Sequence, residues 1–169
     1  KPVIAYLDNA TNASYFLASA ADKIYINYAE GTTNMVIGFS ARLFFVKDIL
    51  DFLGIEMQLI RHGKYKSAGE MYTRGRISPE NYEQNKAFID ALWNAWSKKM
   101  AHARGISQER FNEYVDNLSL VDGHDMFEAK LVDGLFSRHK MEEKLLSFHN
   151  EGTKKLIFAD FADYVTAHK

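Results

Sequence analysis

Cysteine is absent from the 169 residues, which excludes disulfides, thiolate zinc sites and a cysteine nucleophile. A cysteine-free chain suits the cytosol and suits equally a periplasmic protein that avoids thiols. Net charge is lacking too: 21 Lys and Arg stand against 22 Asp and Glu, for a formal charge of −1. That balance gives no electrostatic ground for nucleic acid or an anionic membrane surface as a partner. No apolar run approaches the roughly 18–20 residues that cross a bilayer, and the opening residues show no signal-peptide pattern. The chain begins at Lys1-Pro2 without an initiator methionine and runs straight into a strand-like segment. It is read as a piece of a longer protein, with anchors and targeting segments expected outside it.

The common chemical motifs are missing as well. There is no G-x-G-x-x-G or P-loop pattern, so nucleotide binding has no support, and no Gly-x-Ser-x-Gly elbow. The six histidines, His62, His102, His124, His139, His149 and His168, are scattered. None forms a His-x-x-x-His pair, so they are expected at the surface or at helix ends, and neither a metal nor a cofactor is expected. Sequons at Asn9, Asn12 and Asn117 are short enough to arise by chance and carry no weight.

What is present is ordinary globular material, 47% hydrophobic and 25% charged, enough for one domain over residues 1–169 with a real core. Val3–Leu7 reads as a buried strand, about Thr11–Ala21 as an alanine-rich buried helix and Ile24–Asn27 as a second strand. Gly31–Asn34 reads as a loop and Met35–Gly38 as a strand end. Ser40 suits the N-cap of a helix over Ala41–Leu53, with Gly54 just past its end. Ile55–Ile60 alternates as a strand does, and 61–76 is polar, cationic and poorly periodic, hence a loop or short irregular helix.

Ser78-Pro79-Glu80 is a strong helix start, and that helix is expected to reach Arg104 and stop at Gly105. Ile89, Leu92, Trp93, Trp96, Met100 and Ala103 form its apolar stripe. Further helices are expected over about Ser107–Asn117, Asp125–Lys130 and Lys140–His149, with an apolar–aromatic tail, Leu156–Tyr164, that pairs as a strand or docks. Strands alternating with helices give an α/β class with some parallel pairing. Trp93, Trp96, Phe44 and Phe45 suit the lining of an apolar groove, but such stripes more often serve the core or a subunit contact.

The chemically unusual segment is GKYKSA, residues 63–68, with Arg61 and His62 beside it. A lysine works as a general base only when neutral. From a free pKa of about 10.4 that requires a depression of roughly three units, or about 4 kcal/mol of differential interaction. Partial burial and neighbouring positive charge both act in that direction. On composition alone a solvated basic loop remains the simpler reading.

Several separated segments, in order and over most of the chain, resemble the long, two-repeat form of the signal peptide peptidase A (protease IV) family. SYFLASAADKIYIN (14–27) resembles its tyrosine-rich helix and following strand. ARLFFVKDILDFLGIEMQLIRHGKYKSAGEMYTR (41–74) resembles its long helix, strand and lysine loop. ISPENYEQNKAFIDALWN (77–94) resembles the helix after that loop, and DMFEAKLVDGL (125–135) a turn shared with crotonase-like and ClpP-like proteins.

The resemblance implies an α/β fold of crotonase/ClpP-like repeated β-α units, of which this chain is part: the lysine-bearing N-terminal-half repeat. It implies a serine protease with a Ser-Lys dyad in which Lys66, the second lysine of the loop, is the general base. Lys64 fills the variable position and Ser67 is not the nucleophile. The nucleophile's counterpart here is Ala13, with Ser14 as the neighbouring alternative in register, so the serine belongs to the absent C-terminal repeat and this piece alone is expected to be inactive. The implied substrates are released signal peptides and other membrane-derived apolar peptides. The implied setting is the periplasmic side of the bacterial inner membrane, in a homo-oligomer (a tetramer in the family). Two alternatives stand beside it: a non-catalytic scaffold repeat of the same assembly, and a crotonase-type acyl-CoA enzyme, for which Glu70 and Glu80 are only lone carboxylates.

Overall fold

A strand, a helix and a second strand occupy the first 26 residues. In the computed structural model the described residues are 2–29, 32–148 and 155–167. In chain order the elements are β1 (Ile4–Leu7), α1 (Asn12–Ala18), β2 (Lys23–Ile26), α2 (Lys47–Phe52), α3 (Glu70–Thr73), α4 (Pro79–Ala103), α5 (Gln108–Asp116), α6 (Gly123–Glu128), β3 (Gly134–Leu135), α7 (Arg138–Ser147) and α8 (Phe161–Ala167). They fall into two compact units: Lys1–Val36 with Tyr114–Lys169, and Ile37–Glu113.

The first unit holds a parallel sheet in the order β1-β2-β3. Ile4 lies opposite Lys23 and Leu7 opposite Ile26, while Tyr25 lies opposite Gly134. Parallel neighbours need a crossover, and α1 supplies it between β1 and β2. Thr11 starts α1 with a capping box in which the Thr11 side chain accepts from the Ser14 amide and Ser14 accepts from the Thr11 amide. The central strand is the most buried, with Ile24 and Ile26 in a core that includes Tyr15, Leu120, Met126, Leu131 and Met141.

The buried Tyr15 hydroxyl donates to the Leu131 carbonyl at 2.7 Å, so its polar end is satisfied inside the core. Asp133 accepts from the Ile24 amide and from Lys23 Nζ, both at 2.9 Å, fixing the start of β2. Asn34 is buried and accepts from the Ala10 amide at 2.9 Å while donating to the Asn27 carbonyl at 2.6 Å. The expected strand end at 35–38 is instead irregular backbone, held by amide bonds from Met35 to the Ala10 carbonyl and from Val36 to the Leu120 carbonyl. Helix α7 begins at Arg138 on a Ser137 cap, slightly earlier than expected; His149, the expected last residue, lies outside the described residues, as does Gly31 of the 31–34 loop. The tail forms α8, an exposed helix, rather than a strand over 156–164.

The second unit is built on α4. The Ser78 side chain caps it, proline occupies its first turn, and Gly105 follows its end at φ +68, the left-handed geometry that glycine tolerates at a helix terminus. Met100 and Ala101 are fully buried; Ala103, expected in the apolar stripe, is exposed. Trp93 stacks on buried Phe111, and Phe39 meets the edges of Trp93 and Trp96 at centroid separations of 5.7 and 5.0 Å. The two tryptophans therefore pack within this unit. Phe44 is exposed and Phe45 half-buried.

Two expected elements here are different. The helix over 41–53 shrinks to α2, which starts at Lys47 with no side-chain cap. Phe44, Phe45 and Val46 are weak helix formers, whereas Asp48 lies in the first turn and Lys47 pairs with Asp51 one turn on. Residues 55–60 do not form a strand; they are irregular and exposed, with Ile60 at 98%. An alternating pattern makes a strand only where a partner edge takes its hydrogen bonds, and among the described residues no strand pairs with this segment.

Candidate functional site

The turn that carries Lys66 depends on Gly63, whose φ of +97 is outside the range comfortable for a side chain. The chain doubles back there, and the Lys66 amide donates to the Gly63 carbonyl at 3.4 Å. Lys64 and Lys66 then have different surroundings. Lys64 Nζ lies 4.8 Å from the centre of the Tyr65 ring, whose hydroxyl donates to Glu83 of α4 at 3.4 Å. Lys66 is exposed, and among the described residues its Nζ has no hydrogen-bond or ion-pair partner. It borders a surface cavity of about 530 Å³ with Arg61, His62, Tyr65, Ser67 and Gln84. A second cavity of about 410 Å³, lined by Phe44, Phe45 and Asn85 among others, shares Ser67 and Ala68 with the first.

Beneath the loop is the second unit's buried carboxylate. Glu70 opens α3 and is 1% exposed. Its Oε1 accepts from the Ser78 hydroxyl at 2.6 Å and from Arg61 NH1 at 3.1 Å. Its Oε2 accepts from the Ser78 amide at 3.2 Å and from Asn81 Nδ2 at 3.1 Å. Burial by itself raises the pKa of this carboxyl. The hydrogen bonds from Ser78, Asn81 and Arg61 outweigh it and hold the pKa down at about 2. The same Arg61 nitrogen also donates to the Lys66 carbonyl at 3.3 Å. Asn81 is braced in turn by Asn85, whose amide donates to Asn81 Oδ1 at 2.6 Å.

Arg61 therefore reaches the backbone of Lys66, while the lysine side chain itself is exposed. Ala13 and Ser14 lie on α1, in the other unit. Ala13 is exposed. The Ser14 hydroxyl donates to the Asn9 carbonyl at 3.2 Å and accepts from the Thr11 amide at 2.9 Å, so it serves the capping box. Among the described residues no cluster of His, Cys, Asp and Glu is arranged to hold a metal ion, and no helix is long and apolar enough to cross a membrane. Arg61, Ser78 and Asn81 do not stand out as a set in the sequence, where Glu70 reads as a lone acid. The available signal was an acid with an arginine nine residues before it and a Ser-Pro-Glu helix start eight residues after.

The sequence profile of peptidase family S49 matches residues 1–147. The chain is 31% identical over 174 aligned positions to "Protease 4" of Haemophilus influenzae, covering 98% of this chain and 28% of that protein. It is 32% identical over 152 to "Protease 4" of Salmonella typhi, covering 86% of this chain and 24% of that protein. Against "Serine protease SPPA, chloroplastic" of Arabidopsis thaliana it is 24% identical over 169, covering 97% and 24%. The chain thus spans about a quarter of the length of these curated relatives. A helix–lysine-loop–helix order along the chain and a profile match over most of its length lead to one assignment: this chain belongs to peptidase family S49.

Proposed function

We propose that this chain is the lysine-bearing part of a serine protease working through a Ser-Lys dyad, with Lys66 as the general base. The observation that carries the reading is the placement of Lys66 on a glycine-dependent turn at the rim of a cavity, within a chain whose relatives are named as proteases. The parallel β1-β2-β3 sheet with its α1 crossover is read as part of a crotonase/ClpP-like repeat.

In this reading a serine from another part of the longer protein, its C-terminal repeat, attacks the peptide carbonyl. Neutral Lys66 takes the serine proton, then gives it to the departing amine as the tetrahedral intermediate collapses to an acyl-enzyme. Water attacks the acyl carbon, Lys66 takes the proton from that water, and the serine hydroxyl is restored when the proton returns to it. Backbone amides stabilise each oxyanion. Ala13 and the capped Ser14 offer no free nucleophile, so this piece by itself is inactive. The proposed substrates are released signal peptides and other membrane-derived apolar peptides, cleaved by a homo-oligomer on the periplasmic side of the bacterial inner membrane, anchored by a segment outside this chain.

The solvent exposure of Lys66 favours a second reading, a scaffold repeat kept for assembly. One experiment separates the two. Lys66→Ala in the longer protein abolishes peptide cleavage with circular dichroism and thermal midpoint unchanged if Lys66 is the base. A folded variant that keeps full activity refutes the dyad and leaves the scaffold.

A further inference from the structure

We propose that Glu70, acting through Arg61, is the positioning residue for Lys66: a buried carboxylate that fixes one guanidinium nitrogen, which in turn holds the backbone carbonyl of the lysine. The inference rests on the reading of Lys66 as the base. It goes beyond that reading by assigning work to residues that never touch the reacting atoms.

The geometry is a relay of two contacts on one atom. Arg61 NH1 donates to Glu70 Oε1 at 3.1 Å and to the Lys66 carbonyl at 3.3 Å. Glu70 is immobilised by three further donors, the Ser78 hydroxyl, the Ser78 amide and Asn81 Nδ2. Two of these belong to the residue that caps α4 and the third to the first turn of that helix. The end of a 25-residue helix is thereby tied to the loop. Ion pairs at the protein surface are weak because both partners keep their water and their freedom. This one differs because its carboxylate is 1% exposed and its four bonds leave neither oxygen free. Such a carboxylate has no water to fall back on, so the network is either complete or broken.

Lys66 needs such a support. Its side chain is solvated and its own amide bond to Gly63 is long at 3.4 Å, so the loop alone specifies its position poorly. A base displaced by about 1 Å costs on the order of 100-fold in rate. Among the described residues, the other charged or titratable groups lining the lysine's cavity are Arg61, His62 and Tyr65, with Lys64 and Glu83 engaged by Tyr65.

The test uses the longer protease with Glu70→Gln, Arg61→Gln and Lys66→Ala, each assayed for kcat, KM and the pH profile of kcat on a fluorogenic apolar peptide. Glu70→Gln and Arg61→Gln are expected to lower kcat roughly 10- to 100-fold with KM within about twofold, because positioning of a base acts in the chemical step. The acid limb of the kcat profile is expected to move in opposite directions: to lower pH in Glu70→Gln, which leaves the arginine charge beside the lysine, and to higher pH in Arg61→Gln, which leaves the carboxylate. A purely structural loss moves both limbs alike or not at all. Should Glu70→Gln fail to fold, Arg61→Gln carries the test alone, since Arg61 is partly solvated. Inactive Lys66→Ala together with normal kcat and an unmoved profile in the folded variants overturns the positioning role and leaves the dyad standing. An active Lys66→Ala overturns both.

Discussion

Ser78 performs two tasks with one hydroxyl, and its removal gives a sharp prediction. The oxygen accepts from the Asn81 amide at 3.2 Å as the cap of α4 and donates its proton to Glu70 Oε1 at 2.6 Å. Loss of an N-cap costs about 1 kcal/mol, within a range of about 0.5–2. Loss of a hydrogen bond to a buried carboxylate costs about 1.5–3 kcal/mol. Arg61 still serves Oε1 after the change, and the Ser78 backbone amide still serves Oε2, so the two costs do not add fully. Ser78→Ala should therefore lose about 2–4 kcal/mol at the start of α4.

Native-state hydrogen exchange reads that loss locally. The amides of Asn81 and Tyr82, bonded to the Ser78 hydroxyl and carbonyl respectively, should exchange roughly 30- to several hundred-fold faster, at about 1.4 kcal/mol per tenfold. Ser78→Asp sharpens the test. Aspartate caps an ordinary solvated helix about as well as serine, but here it would set a second carboxylate against Glu70. It should be worse than alanine. Acceleration under about threefold in Ser78→Ala, or an aspartate variant as protected as the wild type, would refute the account of a closed carboxylate site.

Two other perturbations test the same loop. Glu70 has its folded pKa lowered from 4.5 to about 2, so the stability it contributes is fully present above about pH 4.5 and is lost as pH falls towards 2. The wild type should lose denaturant midpoint across that window relative to Glu70→Gln; parallel curves for the two proteins would contradict the shift. Gly63→Ala meets no neighbouring atom within 4 Å, yet it forces a side chain into φ +97 at a cost of about 1–2 kcal/mol. It should reduce peptide cleavage by the longer protein through loop distortion, and unchanged kcat would show that the turn does not set the lysine.

The parts of this chain legible from sequence are those where local signals agree. Ser78-Pro79-Glu80 and Gly105 bracket a helix that the structure gives as Pro79–Ala103. Val3–Leu7 and Ile24–Asn27, apolar and short, appear as β1 and β2 with a helix between. Residues 41–60 mislead because amphipathic spacing says which face is apolar, not whether a neighbour will cover it. Leu53, 61% exposed, and Met57, 45% exposed, sit at positions whose apolar spacing predicts cover.

The site divides in the same way. Lys66 stands out through resemblance to a family loop. The carboxylate cluster is invisible locally, because Arg61, Glu70, Ser78 and Asn81 come from an irregular segment, a four-residue helix, a helix cap and the first turn after that cap. Only folding tells a buried, four-fold hydrogen-bonded glutamate from the lone surface acid that Glu80 proves to be: half-buried, in the first turn of α4.

The cavity at the lysine and the second cavity both take Ser67 and Ala68 into their lining. These two small residues follow the lysine directly along the chain, and a larger side chain at either would take up space in both cavities. Side-chain size at 67 and 68 is thus constrained from two directions at once. A bulky residue at either position would reshape the space at the lysine's rim and the aromatic-lined hollow of Phe44 and Phe45 in a single step, whereas a change at Gln84 or at Phe44 would touch one recess alone.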